Sequence, residues 1–410
     1  MTVAVSQPLP RPRLTHVRRR PSLELSVPGL IFCALMSFMG VAAVNSGANL
    51  LFAIFGLSLG ILMVSRTLGR TGLRKLSIKR LLPEHGVVGR PINLIYEIEN
   101  RKRYWPSLSL IVAELDGAEA FAMQPHAYAL HVAAGTTTSA FADALSKRRG
   151  IHHLERCQII TSFPFGFIRR SVECKQKDTL LVYPAIGSVD ESIFQLCRSA
   201  ESTGPMMRPR QGGSDEFYGV KEYRTGDNPR WIYWRRSAHT GTLVAREMTH
   251  VSPPRLLLLV DSHLPSPSPE DRAKVENVIA LAASLASDAL ERGLPVGLIS
   301  WSERWIHIPP NRGKRHCRDI LTALAVLPKN PQHAAGELLN ESRPMLRSNT
   351  TAVLLTSQSN YSSLAGESRG GLVVLAVDSP AVKKGFRFQK TVNFQNCCPV
   401  DQLSTEEPSA

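Results

Sequence analysis

The residues best suited to chemistry crowd into one stretch, Ser214-Asp215-Glu216-Phe217-Tyr218-Gly219-Val220-Lys221-Glu222-Tyr223-Arg224-Thr225-Gly226-Asp227-Asn228-Pro229-Arg230-Trp231-Ile232-Tyr233-Trp234-Arg235-Arg236-Ser237-Ala238. It interleaves carboxylates, arginines and aromatic rings. Three chemistries fit such a mixture. Glu222 and Asp227 could hold a metal or exchange protons. The Arg and Trp side chains could stack on nucleobases. Or the opposite charges pair among themselves, making a clamp between domains and a docking face. Charges near balance favour the clamp. Thr225-Gly226-Asp227-Asn228-Pro229 reads as a turn, in which Asp227 folds back on the next backbone N–H groups and Gly226 supplies a free dihedral.

No Ser/His/Asp or Cys/His arrangement marks a nucleophile. No GxxxxGK[ST] or GxGxxG follows a strand, so neither nucleotide fingerprint is present. No catalytic residue is assigned, and the reading is of a non-enzyme without a cofactor. Adjacent His152 and His153 point to opposite faces of a strand and are poorly placed to share an ion. The seven cysteines (Cys33, Cys157, Cys174, Cys197, Cys317, Cys397, Cys398) form no CxxC pair, which suits a reducing compartment and offers no zinc site.

These residues need elements to position them. From Ser26 to Ser65 no residue is charged. The run breaks at Asn45-Ser46-Gly47, leaving Val27–Val44 and Ala48–Val64, each long enough to span a bilayer as a helix. A signal peptide fits less well, because a second apolar span follows directly and no cleavage site precedes a polar start. A helical hairpin buried in a soluble core is the other alternative. Residues 1–80 hold 11 of the 49 Lys and Arg but one acid, Glu24. That basic excess flanks both spans and reads as a positive-inside signal and a contact with anionic lipid. It accounts for most of the net charge of +15, which leaves little reason to infer nucleic-acid binding.

Beyond the basic flank the period becomes two. Ile92, Leu94, Tyr96 and Ile98 alternate with Asn93, Ile95, Glu97 and Glu99, and Leu108, Leu110 and Val112 repeat the pattern. Thr136–Phe141, Cys157–Thr161 and Leu180–Tyr183 are further strands, so 76–184 reads as a β-sandwich. From Arg255 strand and helix alternate. Leu256–Val260 is an apolar run ending at Asp261. Ser268, Pro269 and Asp271 form a helix start before Ala273–Leu290, and Gly293 closes it. Strands follow at Val296–Ser300, Ala352–Thr356 and Leu372–Val377, with helices at Lys314–Leu327 and Ala334–Leu346. That order implies a doubly wound parallel sheet.

The resulting plan is a basic arm (1–26), two membrane helices (27–65), a basic flank with a β-sandwich (66–184), the polar segment (185–254), an α/β domain (255–380) and a tail (381–410).

The pattern Gly219-x-x-Glu222-Tyr223-x-x-Gly226-Asp227-x-x-Arg230-x-Ile232-x-Trp234-x-x-Ser237-Ala238 resembles the signature of the family called domain of unknown function 58. Asn45-Ser46-Gly47-Ala48-Asn49-Leu50-Leu51, Arg149-Gly150, Thr161-x-Phe163-Pro164-Phe165-Gly166 and Val182-Tyr183-Pro184 are similar to other parts of that family. Tyr233 stands where the family often has Asp, and His239 where it often has Arg. The α/β domain resembles the von Willebrand factor type A fold, whose metal motif is Asp-x-Ser-x-Ser. Here Asp261-Ser262-His263-Leu264-Pro265 lacks both serines, so Asp261 is the one retained acid and reads as a strand-end cap. His263 and His307 read as surface residues.

The family resemblance implies a membrane-tethered adaptor partnered by a MoxR-type AAA+ ATPase at the cytoplasmic face of the inner membrane. Two other functions compete with it. One is a hydrolytic centre of Glu222, Asp227 and Asp261 around a divalent ion. The other is a nucleic-acid-binding membrane protein.

Overall fold

The computed structural model describes residues 21–117, 120–195, 211–225, 227–249, 255–264, 266, 268–302, 304–328, 335–345, 350–358 and 372–387. They fall into two compact units that divide between Ala185 and Ile186.

The first unit opens with a strand, β1 (Pro21–Leu25), directly before α1 (Val27–Ser46) and α2 (Asn49–Gly72). The Ser26 hydroxyl accepts the Gly29 N–H at 3.2 Å and caps α1, with Pro28 in the first turn. Gly47 closes α1 in the left-handed region, φ 65°. Both helices are long and apolar enough to cross a membrane. Val27, Leu30, Phe38, Val41, Leu50 and Leu57 point outward, all exposed. α2 runs two turns past the expected end at Val64, carrying Arg66 and Arg70.

The strands that follow are β2 (Leu76–Leu81), β3 (Gly86–Val87), β4 (Pro91–Asn100), β5 (Ser107–Glu114), β6 (His126–Val132), β7 (Thr137–Leu145), β8 (Gly150–Thr161) and β9 (Ile168–Tyr183). One sheet runs β2-β4-β7. The other runs β1-β9-β8-β5-β6, with β3 beside β9. The alternation read in β4 is the burial pattern: Ile92, Leu94, Tyr96 and Ile98 are inside. They share a core with Leu110, Val112, Leu154, Ile159 and Val172 of the facing sheet. The arm assigned to residues 1–26 does not stay free over its described part. Pro21–Leu25 pairs antiparallel with β9, Pro21 opposite Val172 and Leu25 opposite Ile168.

A charged network crosses this core. Arg80 is fully buried and donates to Glu114 through Nε (2.8 Å) and Nη2 (2.7 Å), and to Asp178 at 2.9 Å. The Tyr96 hydroxyl donates to Glu114 at 2.6 Å. A buried guanidinium tolerates its surroundings only with its donors satisfied this way.

The second unit contains β10 (Ser188–Val189), a helical turn at 191–195, β11 (Gln211–Glu222), a 3₁₀ turn (Pro229–Trp231), α3 (Trp234–Thr240) and β12 (Val244–Thr249). Then come β13 (Arg255–Val260), α4 (Pro269–Glu291), β14 (Val296–Trp301), β15 (Trp305–Asn311), α5 (Lys314–Val326), α6 (Ala335–Ser342), β16 (Thr350–Thr356), β17 (Leu372–Ala376), α7 (Pro380–Gly385) and β18 (Phe386–Arg387). Ser268 caps α4 by accepting the Asp271 N–H at 3.1 Å, and Gly293 follows its end at φ 77°. The five-stranded sheet has the order β15-β14-β13-β16-β17. Leu257, Leu259, Ile299 and Leu354 face Ala335 and Leu338 of α6. Alternation turns Leu256, Leu258 and Val260 to the opposite face.

One strand departs from the expected all-parallel sheet. β15 runs antiparallel to β14. The link between them is too short for a crossover, and Pro309 and Pro310 sit where a ladder tolerates them, on the edge. Part of the assigned tail is also structured: β18 pairs antiparallel with β10.

Candidate functional site

Two groups of polar residues in the second unit carry the candidate chemistry. The first is the polar segment. β11 and β12 pair antiparallel, Glu222 opposite Val244 and Gly219 opposite Glu247. The turn, the 3₁₀ turn and α3 fill the connection. Asp227 lies in the expected turn, but its carboxylate turns back to the preceding Arg224 N–H, and Asn228 Oδ1 accepts the Arg230 N–H ahead of it. Its Oδ1 meets Lys221 Nζ at 2.9 Å, and its Oδ2 accepts the Arg224 N–H at 3.1 Å. The Lys221 ammonium, followed by the Arg224 amide, holds its carboxyl below the ordinary aspartate value. The Tyr223 hydroxyl donates to the Asp227 carbonyl at 3.2 Å. Gly226 lies outside the described residues.

Ser237 is the buried joint of this hairpin. Its Oγ accepts the Val244 N–H at 2.8 Å and donates to the Tyr233 carbonyl at 3.1 Å, fastening α3 to β12. Tyr233, which departs from the resembled signature, lies under Arg246, 4.6 Å from guanidinium carbon to ring centre. Glu222, Arg230 and His239 are exposed. Trp234 is 66% exposed. The segment therefore pairs part of its charge internally, Asp227 with Lys221, and turns Arg230, Trp234, Arg235 and Arg236 to solvent.

The second group lies at the carboxyl end of the sheet. The chain leaves β13 for β14 on one side and returns at β16 on the other, so the ends of β13 and β16 flank the switch point where open α/β sheets bind ligands. Asp261 directly follows β13 and is 1% exposed. Thr356 Oγ1 at the end of β16 donates to Asp261 Oδ2 at 2.7 Å, and the His263 N–H donates to Oδ1 at 3.0 Å. Burial raises the Asp261 carboxyl above its ordinary pKa, against those two hydrogen bonds. Ser262 and Ser357 are buried beside it. Among the described residues no three His, Cys, Asp or Glu side chains gather to hold a metal. Glu222, Asp227 and Asp261 thus do not converge as a hydrolytic centre would require. A hard cation wants several converging oxygens. One carboxylate with both oxygens already accepting hydrogen bonds does not meet that demand.

The sequence reading found Asp227 and Asp261 but missed their partners. Lys221 precedes Asp227 by six residues on a strand, outside any local motif. Thr356 reaches Asp261 only because β13 and β16 are neighbours, 95 residues apart in the chain. His152 and His153 engage different partners, the Arg148 carbonyl and the Thr179 hydroxyl.

Two apolar helices, a pair of facing sheets and an α/β unit with a polar hairpin ahead of its first central strand define a multi-domain class of protein. Residues 219–360 match the family described as "Protein of unknown function DUF58". The match begins at Gly219, the first residue of the signature, and runs past β16. The chain is also 26% identical over 179 residues to the "Uncharacterized protein YeaD" of Bacillus subtilis (strain 168). That alignment covers 43% of this chain and 43% of the relative, so the chain spans less than half of that protein.

Proposed function

We propose that the protein is a membrane-tethered adaptor whose two soluble units lie on the cytoplasmic side of the inner membrane, with a von Willebrand A-like domain as the second. The observation that carries this reading is how the helical hairpin is mounted. β1 precedes α1 and pairs with β9; β2 follows α2 and pairs with β4. Both ends of the hairpin are built into one β-domain, so both return to the same side of any bilayer the helices cross. Arg66, Arg70, Arg74 and Lys75 at that end favour the cytoplasmic side. The exposed face of the polar hairpin, with Trp234 beside Arg230, Arg235 and Arg236, is a docking surface rich in the residue types that dominate interface energetics. The family resemblance directs the search for its partner to a MoxR-type AAA+ ATPase.

Reporter fusions at Gly47 and after Ala410 test the orientation. An external Gly47 with a cytoplasmic C-terminus is expected; an external C-terminus defeats the proposal. Affinity capture of the full-length protein from detergent extracts tests the partner, and repeated recovery without any AAA+ ATPase removes it.

A further inference from the structure

The turn Ser162-Phe163-Pro164-Phe165-Gly166-Phe167 between β8 and β9 does not sit on the far side of the β-domain from the hairpin. It lies along the helices. The Phe167 ring stacks on Phe32 of α1, centroids 4.3 Å apart. Ser26 donates to the Phe167 carbonyl at 3.0 Å. A Cβ at Gly29 would fall 2.1 Å from that carbonyl oxygen, so only glycine allows the approach. Phe165, 48% exposed, shares an apolar groove with Gly56, Leu57, Gly60, Ile61 and Val64 of α2. No charged residue lies between Ser26 and Ser65, or between Cys157 and Ile168. The groove is therefore apolar from end to end and lies at the depth of the membrane-spanning residues.

Immediately beyond it the chemistry reverses. Arg66 and Arg70 occupy the next turns of α2, and Arg169 and Arg170 open β9. The Arg170 side chain lies against Gly69, with Cδ 3.4 Å from where a Cβ would stand. Arg66 and Arg70 are near enough to destabilise the charge on Arg170, which burial already disfavours. Arg170 Nε is buried without a hydrogen-bond partner among the described residues. The acid nearest in the strand register, Glu24, stands opposite Arg169, and no described carboxylate is ion-paired with Arg66, Arg70 or Arg170. Three guanidiniums drawn together with no carboxylate among them call for an anion, and the groove next to them calls for a hydrocarbon chain.

We propose that this corner binds one anionic phospholipid, its phosphate held by Arg66, Arg70 and Arg170 and its acyl chain laid in the groove beside Phe165. The inference rests on the membrane reading above. It adds a specific lipid site made jointly by α2 and by a strand a hundred residues away in the chain. A free phosphate would satisfy the arginines but not the groove, which is why a lipid is the occupant.

The test uses the full-length protein in nanodiscs of equal parts phosphatidylcholine and phosphatidylglycerol, released and weighed by native mass spectrometry with its bound lipid. Phosphatidylglycerol is expected to be retained in excess. Arg170→Gln and Arg66→Gln should each cut that excess about fivefold, the worth of one basic group at an anionic surface. Arg304→Gln, an exposed charge on the other unit, should not change it. Equal retention of both lipids, or an excess untouched by the arginine variants, overturns the site. Displacement of the lipid by equimolar inorganic phosphate overturns the lipid assignment in favour of a free-anion site. Carbonate extraction of native membranes, run in parallel, separates these failures from failure of the membrane reading: a protein released into the carbonate wash was never integral.

Discussion

At the scale of single residues, burial decides which polar groups matter. Ser237 is the clearest case, because its one hydroxyl serves both the Val244 N–H and the Tyr233 carbonyl. Ser237→Ala strands a buried amide, and a loss of about 1–3 kcal/mol is expected in denaturant unfolding. Arg80 answers to two carboxylates in the β-core. Arg80→Met should cost about 3–5 kcal/mol, since it leaves Glu114 buried without its counter-charge. Asp261 behaves in the opposite sense. Burial raises its carboxyl above the ordinary value, so the folded chain holds that proton more readily than the unfolded chain. The stability it contributes is fully present below the unfolded aspartate value and is lost as pH rises through the folded one. The melting-point difference between Asp261→Asn and the wild-type chain should therefore move in favour of the variant across that window and level off above it. A difference independent of pH would show that the carboxyl is not perturbed.

At the scale of elements, local signals in the sequence were reliable and pairings at a distance were not. The cap at Ser268, the αL glycine at Gly293, the alternation of β4 and the apolar run of β13 all stand in the structure as read. Each is set by neighbours within a few positions. The fragments at Cys157–Thr161 and Leu180–Tyr183 are only the ends of the long β8–β9 hairpin. Over the rest of it, residues such as Glu155, Arg156, Lys175 and Lys177 keep the outer face charged and mask the apolar period. β15 has no counterpart among the expected strands: its two prolines interrupt a strand signal, and an antiparallel edge tolerates them. β1 carried no signal either, being five residues set directly before α1 and paired only with a strand far downstream. The polar hairpin divided the same way: its turn was legible, while α3 was not, since it is held by the Ser237 joint rather than by an apolar stripe. Gly29 links two of these elements. Gly29→Val should push α1 off the Phe163–Phe167 turn at a cost of about 1–3 kcal/mol. Limited proteolysis in detergent should then cut at that turn faster than in the wild type, and equal cleavage rates would refute the contact.

At the scale of the whole molecule, the mounting of the hairpin bears on how the protein is made. Pro21 emerges from the ribosome 151 residues before its partner Val172. Between the two lie both apolar helices and most of the β-domain. While those residues are synthesised, the segment that becomes β1 has no strand to pair with, and on the membrane reading proposed above the helices after it pass into the bilayer. The sheet can be completed only when β9 arrives, and on that reading it finds the arm already parked at the membrane surface. A hairpin that inserts this way makes insertion and closure of the sheet successive steps in one assembly, the first fixing where the second must occur.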